Sequence, residues 1–402
     1  MTWPLRPVNE LCIFATDCVN KTAPTVDYET RFKMIRTTNV KGGFIDLDTV
    51  RYVTEETFNQ WTRRSRPLVG DVVLTREAPV GEVGRVTFQD ENVMLGQRLF
   101  QYRPDPNLLD SNYLAYVLQS RAIQGALHGK SFGATVPHIR VGDAETLPIP
   151  CPPLSVQRRI GDVLSSYDDL IENNERRIKL LEEAARRLYR EWFVALRFPG
   201  HERGKVVDGV PQGWGRVTLT DIASMNESTV SIKNPPDTLR YLDISSVGTG
   251  VIHEATEYAF ADAPGRARRK VKHGDTIWSC VRPNRRSYAL IWEPPENLIA
   301  STGFAVLTPK TIPFAYLHLA STTDEFVGHL TSNATGAAYP AVTARDFESA
   351  ELLKPSASVL EDFDQRVTPL LAQQEVLQRH CKTLQQARDA LLPRLMSGAL
   401  AV

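Results

Sequence analysis

The 402-residue sequence has few cysteines, no net charge and no long apolar run. Its five cysteines are scattered and form no Cys-x-x-Cys pair, which argues against a disulfide framework or a zinc site and favours reduced thiols. No apolar stretch approaches the roughly 18 residues that a membrane-spanning helix needs. The first residues also lack the basic and apolar segments of a signal peptide. We therefore expect a cytoplasmic protein that makes no membrane contact.

The balance of charge bears on function as well. Lys and Arg number 47, as do Asp and Glu, whereas nucleic-acid-binding proteins usually carry a basic excess. A total of zero says nothing about how the charges are distributed along the chain. The length predicts roughly two to three domains. The apolar content of 42% is ordinary for a globular protein and excludes disordered and collagen-like classes.

The two halves of the sequence resemble each other at an offset of 203 or 204 positions. Residues 133–137, Gly-Ala-Thr-Val-Pro, match residues 336–340, Gly-Ala-Ala-Tyr-Pro. Residues 70–74, Gly-Asp-Val-Val-Leu, match residues 274–278, Gly-Asp-Thr-Ile-Trp. The common order and near-constant offset predict a tandem duplication of a domain-sized unit.

Each copy ends in a long segment whose apolar residues alternate in steps of four and three. The alternation runs over 160–195 in the first copy and over 363–398 in the second, where Gln374 and Arg388 interrupt it. This spacing indicates a coiled-coil seam, with a long surface helix packed on its own domain as the alternative. Pro393 is expected to kink or end the second helix near its last turns. The polar seam positions do not distinguish parallel from antiparallel pairing.

Short β-type runs precede each long helix, and a short helix is predicted at 111–127 and at 314–330. We therefore predict an α+β protein with two globular, mixed α/β domains and two long coiled-coil helices. The predicted boundaries are 1–152 and 214–355 for the domains, 153–196 and 356–402 for the helices, and 197–213 for a linker rich in Gly, Pro and charge.

No motif supports catalysis by this chain alone. Residues 125–131 look like a Walker A phosphate loop that is one residue short. Residues 234–237, Asn-Pro-Pro-Asp, lack the aromatic ring that amino-methyltransferases stack on a flipped base. No His-Glu-x-x-His, Gly-x-Ser-x-Gly or metal-ligand cluster occurs. We therefore expect this chain to bind neither a metal nor a cofactor.

Basic residues, by contrast, are clustered, and most of them are arginines. Residues 260–290 hold eight Lys and Arg against two Asp, a net charge of +6. Guanidinium groups bind phosphate bidentately and read guanine in the major groove, so the clusters favour DNA binding over a solvated or salt-bridged face. The candidate DNA contacts are Arg63, Arg64, Arg66, Arg76 and Lys130 in the first domain, and Arg266, Arg268, Arg269, Arg282, Asn284, Arg285 and Arg286 in the second.

One segment resembles a known family. Residues 147–160, Leu-Pro-Ile-Pro-Cys-Pro-Pro-Leu-Ser-Val-Gln-Arg-Arg-Ile, resemble the entry to the central helix in specificity subunits of type I restriction–modification systems. Residues 168–171, 188–194 and 391–398 are similar to the same family, and the architecture matches over the whole chain. The second copy departs from the pattern, because residues 355–359, Pro-Ser-Ala-Ser-Val, lack the Pro-Pro-Leu and the Gln.

The resemblance implies an antiparallel helix pair within a pseudo-two-fold tandem repeat. Each domain would read one half of a bipartite site in double-stranded DNA, and the coiled coil would set the spacer. Two methyltransferase subunits would bind S-adenosylmethionine, and restriction subunits would use ATP and Mg to cut unmodified DNA of invading phage. The chain itself would be non-catalytic. A stand-alone DNA adenine methyltransferase and a coiled-coil scaffold that does not bind DNA are the alternatives.

Overall fold

The computed structural model describes residues 3–129, 131, 137–207, 209–231 and 233–400. The chain divides into two compact units, one made of residues 1–173 and 380–402 and the other of residues 174–379. Each unit combines one mixed α/β domain with a part of both long helices. The predicted α+β class, with two mixed domains and two long helices, is therefore confirmed.

The first domain is built on a four-stranded antiparallel sheet. Its strand order is Cys12–Asp17, Leu99–Pro104, Val72–Arg76 and Val80–Arg85. The strand Val72–Arg76 is buried at every residue, and two of its side chains, Val72 and Leu74, share a core with Phe100. The sheet is accompanied by the helices Ser111–Gln119, Arg121–Gly129 and Val141–Glu145, which follow the strands in the chain.

A smaller layer completes this domain. Its three-stranded sheet has the order Arg51–Tyr52, Lys33–Ile35 and Val93–Leu95, in which the last two strands are parallel. The helix Glu55–Trp61 buries Phe58 and Trp61 in a core with Phe32. The remaining pairs are Leu5–Pro7 with Pro148–Pro150, and Val40–Lys41 with Phe44–Ile45.

The second domain repeats the topology of the first. Its central sheet has the order Ala223–Met225, Phe304–Pro309, Thr276–Ser279 and Tyr288–Leu290. A second sheet has the order Thr256–Ala259, Thr238–Leu242, Leu298–Ser301 and Ala267–Lys270. The helices are Leu219–Ile222, Phe314–Ala320, Asp324–Asn333 and Ala344–Glu348, and the short strand pairs are Gly215–Thr218 with Glu351–Lys354 and Val206–Val207 with Val210–Pro211.

Equivalent backbone bonds recur in both domains. The Arg76 amide donates to the Arg98 carbonyl at 2.8 Å, and the Cys280 amide donates to the Gly303 carbonyl at 2.8 Å. These four residues stand 204 or 205 positions apart in the sequence, as the duplication requires. The predicted tandem repeat is thus present in strand order and in hydrogen bonding.

The first long helix spans Leu154–Tyr189 and continues into a π-helical turn, Arg190–Val194. The second spans Ala357–Met396, so that Pro393 falls in its last turn and the helix ends three residues later, as expected. None of the predicted seam positions of the second helix is exposed. In the first helix Ala195 is the one exposed seam position, and it lies beyond the helix end.

Both units show that the long helices run antiparallel. In the first unit Asp168 contacts Arg388, and the Cys381 thiol lies 3.8 Å from the Ile171 carbonyl. In the second unit the Gln374 side chain donates to the backbone carbonyl at position 178, at 3.2 Å. Numbers rise on one helix as they fall on the other, so the antiparallel pairing implied by the family resemblance is confirmed.

Candidate nucleic-acid interface

The first domain gathers arginines at one end of its central sheet. Arg76 ends its strand there, and Arg98, with a left-handed φ of 70°, directly precedes the neighbouring strand. Arg64 reaches the same end, because its Nη1 donates to the Asp17 carboxylate at 2.5 Å. The sheet end therefore joins two predicted residues, Arg64 and Arg76, with Arg98, which the sequence did not mark because no other basic residue stands within four positions of it.

These arginines are held by partners of their own domain. The Arg76 side chain is buried and donates to the Ile139 carbonyl at 3.0 Å, and Arg98 forms an ion pair with Glu77 at 3.2 Å. The Cys18 thiol lies close by: burial raises its pKa to about 12, and the positive charges of Arg76 and Arg64 oppose the shift. At neutral pH the thiol is protonated and is not a nucleophile.

The other candidates of the first domain lie elsewhere. Arg63 is exposed in the loop after the helix Glu55–Trp61. Arg66 is exposed too, and its guanidinium lies 5.1 Å from the centre of the Phe58 ring. Lys130 falls outside the described residues.

In the second domain a tight turn carries four of the candidates. The turn Pro283–Arg285 is one turn of 3-10 helix, flanked by Arg282 at φ 52° and Arg286 at φ 55°. Left-handed backbone is uncommon outside glycine and costs of the order of 1 kcal/mol or more, so the neighbouring structure must hold it. The Arg282 amide donates to the Pro340 carbonyl at 2.7 Å, and the Arg286 guanidinium pairs with Asp324.

The polar side chains of the turn are either exposed or engaged with other residues. Asn284 and Arg285 are exposed, with no side-chain hydrogen bond or ion pair among the described residues. Arg282 and Arg286 are half-buried and engaged, and the Arg282 guanidinium lies 4.5 Å from the centre of the Tyr339 ring. The turn thus presents one free amide and one free guanidinium to solvent.

The remaining candidates are Arg266, which directly precedes the strand Ala267–Lys270, and Arg268 and Arg269 within that strand. The Arg266 carbonyl accepts a hydrogen bond from the Thr302 amide at 2.8 Å, next to the Gly303 carbonyl that binds Cys280. Burial raises the pKa of the Cys280 thiol to about 11, and the nearby positive charge of Arg269 opposes the shift. The fold therefore brings Arg266 and Arg269 to the same sheet end as the turn.

The Arg268 side chain packs against an aromatic ring. Its guanidinium lies 5.5 Å from the centre of the Phe260 ring and donates to the Ala267 carbonyl at 2.9 Å.

Equivalent contacts surround the sheet end in both domains. The backbone of Glu77 forms an isolated antiparallel β-bridge with that of His138 in the first domain. Val281 and Ala341 form the equivalent β-bridge in the second. The Ile139 amide bonds the Arg76 carbonyl at 2.9 Å, and the amide of Val342 bonds the Cys280 carbonyl at the same distance. The two domains therefore build their arginine clusters at the same place in one repeated fold. Such a guanidinium cluster suits phosphate and guanine recognition.

The described part of the Walker-like stretch is helical. Residues 125–129 of the Walker-like stretch lie in the helix Arg121–Gly129, so they form no phosphate loop. Within the described ranges, no group of three or more His, Cys, Asp or Glu is arranged to hold a metal ion. In the same part of the chain, no helix has the length and apolar character needed to cross a membrane.

Comparison with known proteins points to one family. The family model described as type I restriction modification DNA specificity domain matches residues 9–183. The specificity subunit of the type I restriction enzyme MjaIX from Methanocaldococcus jannaschii is 24% identical over 364 residues, which cover 88% of this chain and 82% of the relative. Residues 9–183 thus match the specificity domain, and the chain is similar to type I specificity subunits over most of its length. A second relative, the HindI specificity subunit of Haemophilus influenzae, is 21% identical over 82% of this chain and 86% of its own length.

A solved structure shares the fold of this chain. The crystal structure of the type I restriction–modification S subunit from M. genitalium matches with a TM-score of 0.62 at 17% identity, covering 98% of this chain and 96% of that one. The family model that residues 9–183 match describes a DNA specificity domain, so recognition of DNA is the function it points to. The arginine clusters are where such recognition has suitable chemistry.

Proposed function

We propose that this chain is a type I specificity subunit, that it binds double-stranded DNA and that each domain reads one half of a bipartite site. The observation that carries the proposal is the repeated arginine cluster, present at the equivalent sheet end of both domains. Two copies of one binding arrangement match a site with two halves. Phosphate contacts would supply affinity and register, and a few side chains would supply base choice.

The long helices are proposed to set the spacer and to dock two methyltransferase subunits. Several apolar side chains of these helices face solvent, and in this proposal they would contribute to the docking surface. They are Val163 (37% exposed), Leu170 (49%), Leu180 (58%) and Val376 (63%). In this proposal S-adenosylmethionine, ATP and Mg belong to methyltransferase and restriction subunits, and the specificity chain works in the cytoplasm without chemistry of its own.

The decisive experiment is to co-express the chain with its methyltransferase partner and to map N6-methyladenine across the host genome. A two-part motif with a fixed spacer is expected, and Arg282→Ala combined with Arg285→Ala should degrade one half of the motif and leave the other half intact. The matched control is Lys272→Ala, which removes a basic residue of the same cluster that is paired with Glu227 at 2.9 Å.

A methylated motif that is degraded in one half alone supports the proposal. An unchanged motif in the double variant, or a change in both halves, contradicts the assignment of one domain to one half. Methylation by the purified chain without any partner would instead favour the stand-alone methyltransferase.

A further inference from the structure

Tyr339 leaves an aromatic ring in solvent beside the arginine turn of the second domain. The residue is 69% exposed, and its ring centre lies 4.5 Å from the Arg282 guanidinium. Tyr and Arg are the residue types most enriched at binding surfaces, because each combines a large flat contact area with polar groups. The pair is therefore a candidate for ligand contact rather than for core packing.

The backbone that carries Tyr339 is fixed before any ligand arrives. The amide of Thr335 donates to the Ala341 carbonyl at 2.9 Å, and the Ala341 amide donates back to the Thr335 carbonyl at 2.8 Å. Gly336 lies at φ 106°, where a side chain would be strained, and a Cβ there would come within 3.1 Å of the Tyr339 carbonyl. These bonds close the loop at its base.

The same loop holds the Arg282 side chain. Its Nη2 donates to the Ala338 carbonyl at 3.0 Å, while the Tyr339 ring lies against the guanidinium face. A guanidinium held in this way loses less conformational freedom when it binds than one on a free side chain. Among the described residues, Ala338 is the one acceptor of its side-chain N–H groups, which leaves the others for acceptors outside the protein.

The geometry points to base recognition by two residues together. We infer that Arg282 donates to O6 and N7 of a guanine in the second domain's half-site and that Tyr339 holds the Arg282 guanidinium in position. Bidentate donation to guanine is the commonest base-specific use of arginine in the major groove. The inference rests on the proposed function. It adds a residue, Tyr339, that charge clustering does not single out.

The test selects binding sites from a pool of double-stranded DNA with a random 30-base-pair core (about three turns of B-DNA, enough for a bipartite site). The full chain is compared with Tyr339→Phe, Tyr339→Ala and Arg282→Gln. The matched control is Tyr28→Ala, which removes a tyrosine of similar exposure, 64%, from the first domain. Tyr339→Ala and Arg282→Gln should lower the preference for a guanine in one half of the selected motif roughly tenfold. Tyr339→Phe and Tyr28→Ala should keep it.

Two readouts separate positioning from general damage. The thermal melting transition should be unchanged in each variant. If Tyr339→Ala or Arg282→Gln fails to fold and shows no transition, the guanine preference of the other variant tests the inference. The slope of log affinity against log salt should stay as in the native chain, since a lost phosphate contact lowers it by about one and a lost base contact does not.

Three results would overturn the inference. The first is an unchanged guanine preference in Tyr339→Ala, and the second is a reduced salt slope with an intact motif in Arg282→Gln, which would mark a phosphate contact. The third is a native motif without guanine in the affected half, which leaves the proposed function standing. If the native chain enriches no motif, this result contradicts the proposed function and the inference that rests on it.

Discussion

The Asp168 carboxylate connects both long helices with the first domain. It is 1% exposed, accepts a hydrogen bond from Arg388 Nη1 at 2.5 Å and one from the Tyr116 hydroxyl, and has Arg85 Nη2 at 3.8 Å. A buried carboxylate of this kind requires its cations, because an uncompensated charge in the interior is costly. Arg388 therefore belongs to the seam as an ion-pair partner.

Replacing Arg388 by Leu should lower the free energy of unfolding by about 3 kcal/mol, since Asp168 loses its closest cation. Urea denaturation of the full chain measures the change. The control is Asp362→Ala, which removes an exposed ion pair between Asp362 and Arg366, one turn apart on the second helix. This substitution should lower the free energy of unfolding by less than about 1 kcal/mol. Equal effects of the two substitutions would show that the buried pair does not hold the helix.

His318 is expected to make the second domain sensitive to acid. Burial, helped by the charge of Arg186, lowers the pKa of this histidine from 6.5 to about 3. The unfolded chain binds a proton near pH 6.5 and the folded chain does not, so the contribution of this group to stability is complete above pH 6.5 and declines as the pH falls toward 3. At pH 5 the loss amounts to about 2 kcal/mol.

The measurement is the difference in urea stability between pH 7 and pH 5. In His318→Gln this difference should shrink by about 2 kcal/mol, whereas His128→Gln, a substitution at an exposed site, should leave it as in the native chain. A native-like pH response in His318→Gln would assign the acid sensitivity to other groups.

At the scale of elements, the first long helix approaches the helix Ser111–Gln119 closely at Gly161. A Cβ at position 161 would lie 2.7 Å from Oδ1 of Asp110, the carboxylate that caps that helix, and 3.2 Å from the Tyr113 amide. A side chain at this point must displace either the cap or the long helix. Gly161 is thus a packing requirement rather than a flexible joint.

Gly161→Ala should therefore destabilise the first domain by roughly 1–2 kcal/mol, although alanine favours helix. The matched control is Gly125→Ala in the helix Arg121–Gly129, where a Cβ meets nothing within 4 Å. That control should be neutral or stabilising by up to about 1 kcal/mol. If both substitutions stabilise the protein in urea denaturation, the helices do not depend on the close approach.

The elements that the sequence predicts well are those whose signal is local. The four-three spacing of apolar residues identified both long helices, and matched Gly-Asp segments identified the repeat. The partner of Arg388 could not be predicted, because Asp168 is 220 positions away and stands one residue off the seam. The direction of pairing likewise depends on contacts between distant segments.

The candidate site shows the same limit. Charge clustering selected the turn that holds Arg285, but whether an arginine is free or engaged depends on acids brought from elsewhere in the fold. Asp324 engages Arg286 and Asp17 engages Arg64 over distances of 38 and 47 residues in the sequence. Tyr339 has no charge and belongs to no cluster, so only its position beside Arg282 marks it.

At the scale of the whole molecule, the helix pair is proposed to determine the length of the unread spacer. Residues 171 and 381 meet in the first unit, and residues 178 and 374 meet in the second. Deleting 172–178 together with 374–380 removes one heptad from each helix and keeps the register on both sides. A heptad is about 10 Å long, which corresponds to about three base pairs.

The deletion should shorten the spacer of the methylated motif by about three base pairs and preserve both half-sites. Mapping N6-methyladenine with the deleted chain and its methyltransferase partner measures this. The control deletes 172–178 alone, which breaks the register and should abolish methylation. A motif with the native spacer would show that the helices do not determine the spacer length.

The way in which the chain enters and leaves each domain has an evolutionary consequence. Leu5–Pro7 pairs with Pro148–Pro150, and Gly215–Thr218 pairs with Glu351–Lys354, so the first and last strands of each domain are neighbours just before a long helix. A genetic exchange between these strands replaces a complete domain and leaves the helices unchanged. If each domain reads one half-site, as proposed, recombination within the gene would create a new pairing of half-sites in one event.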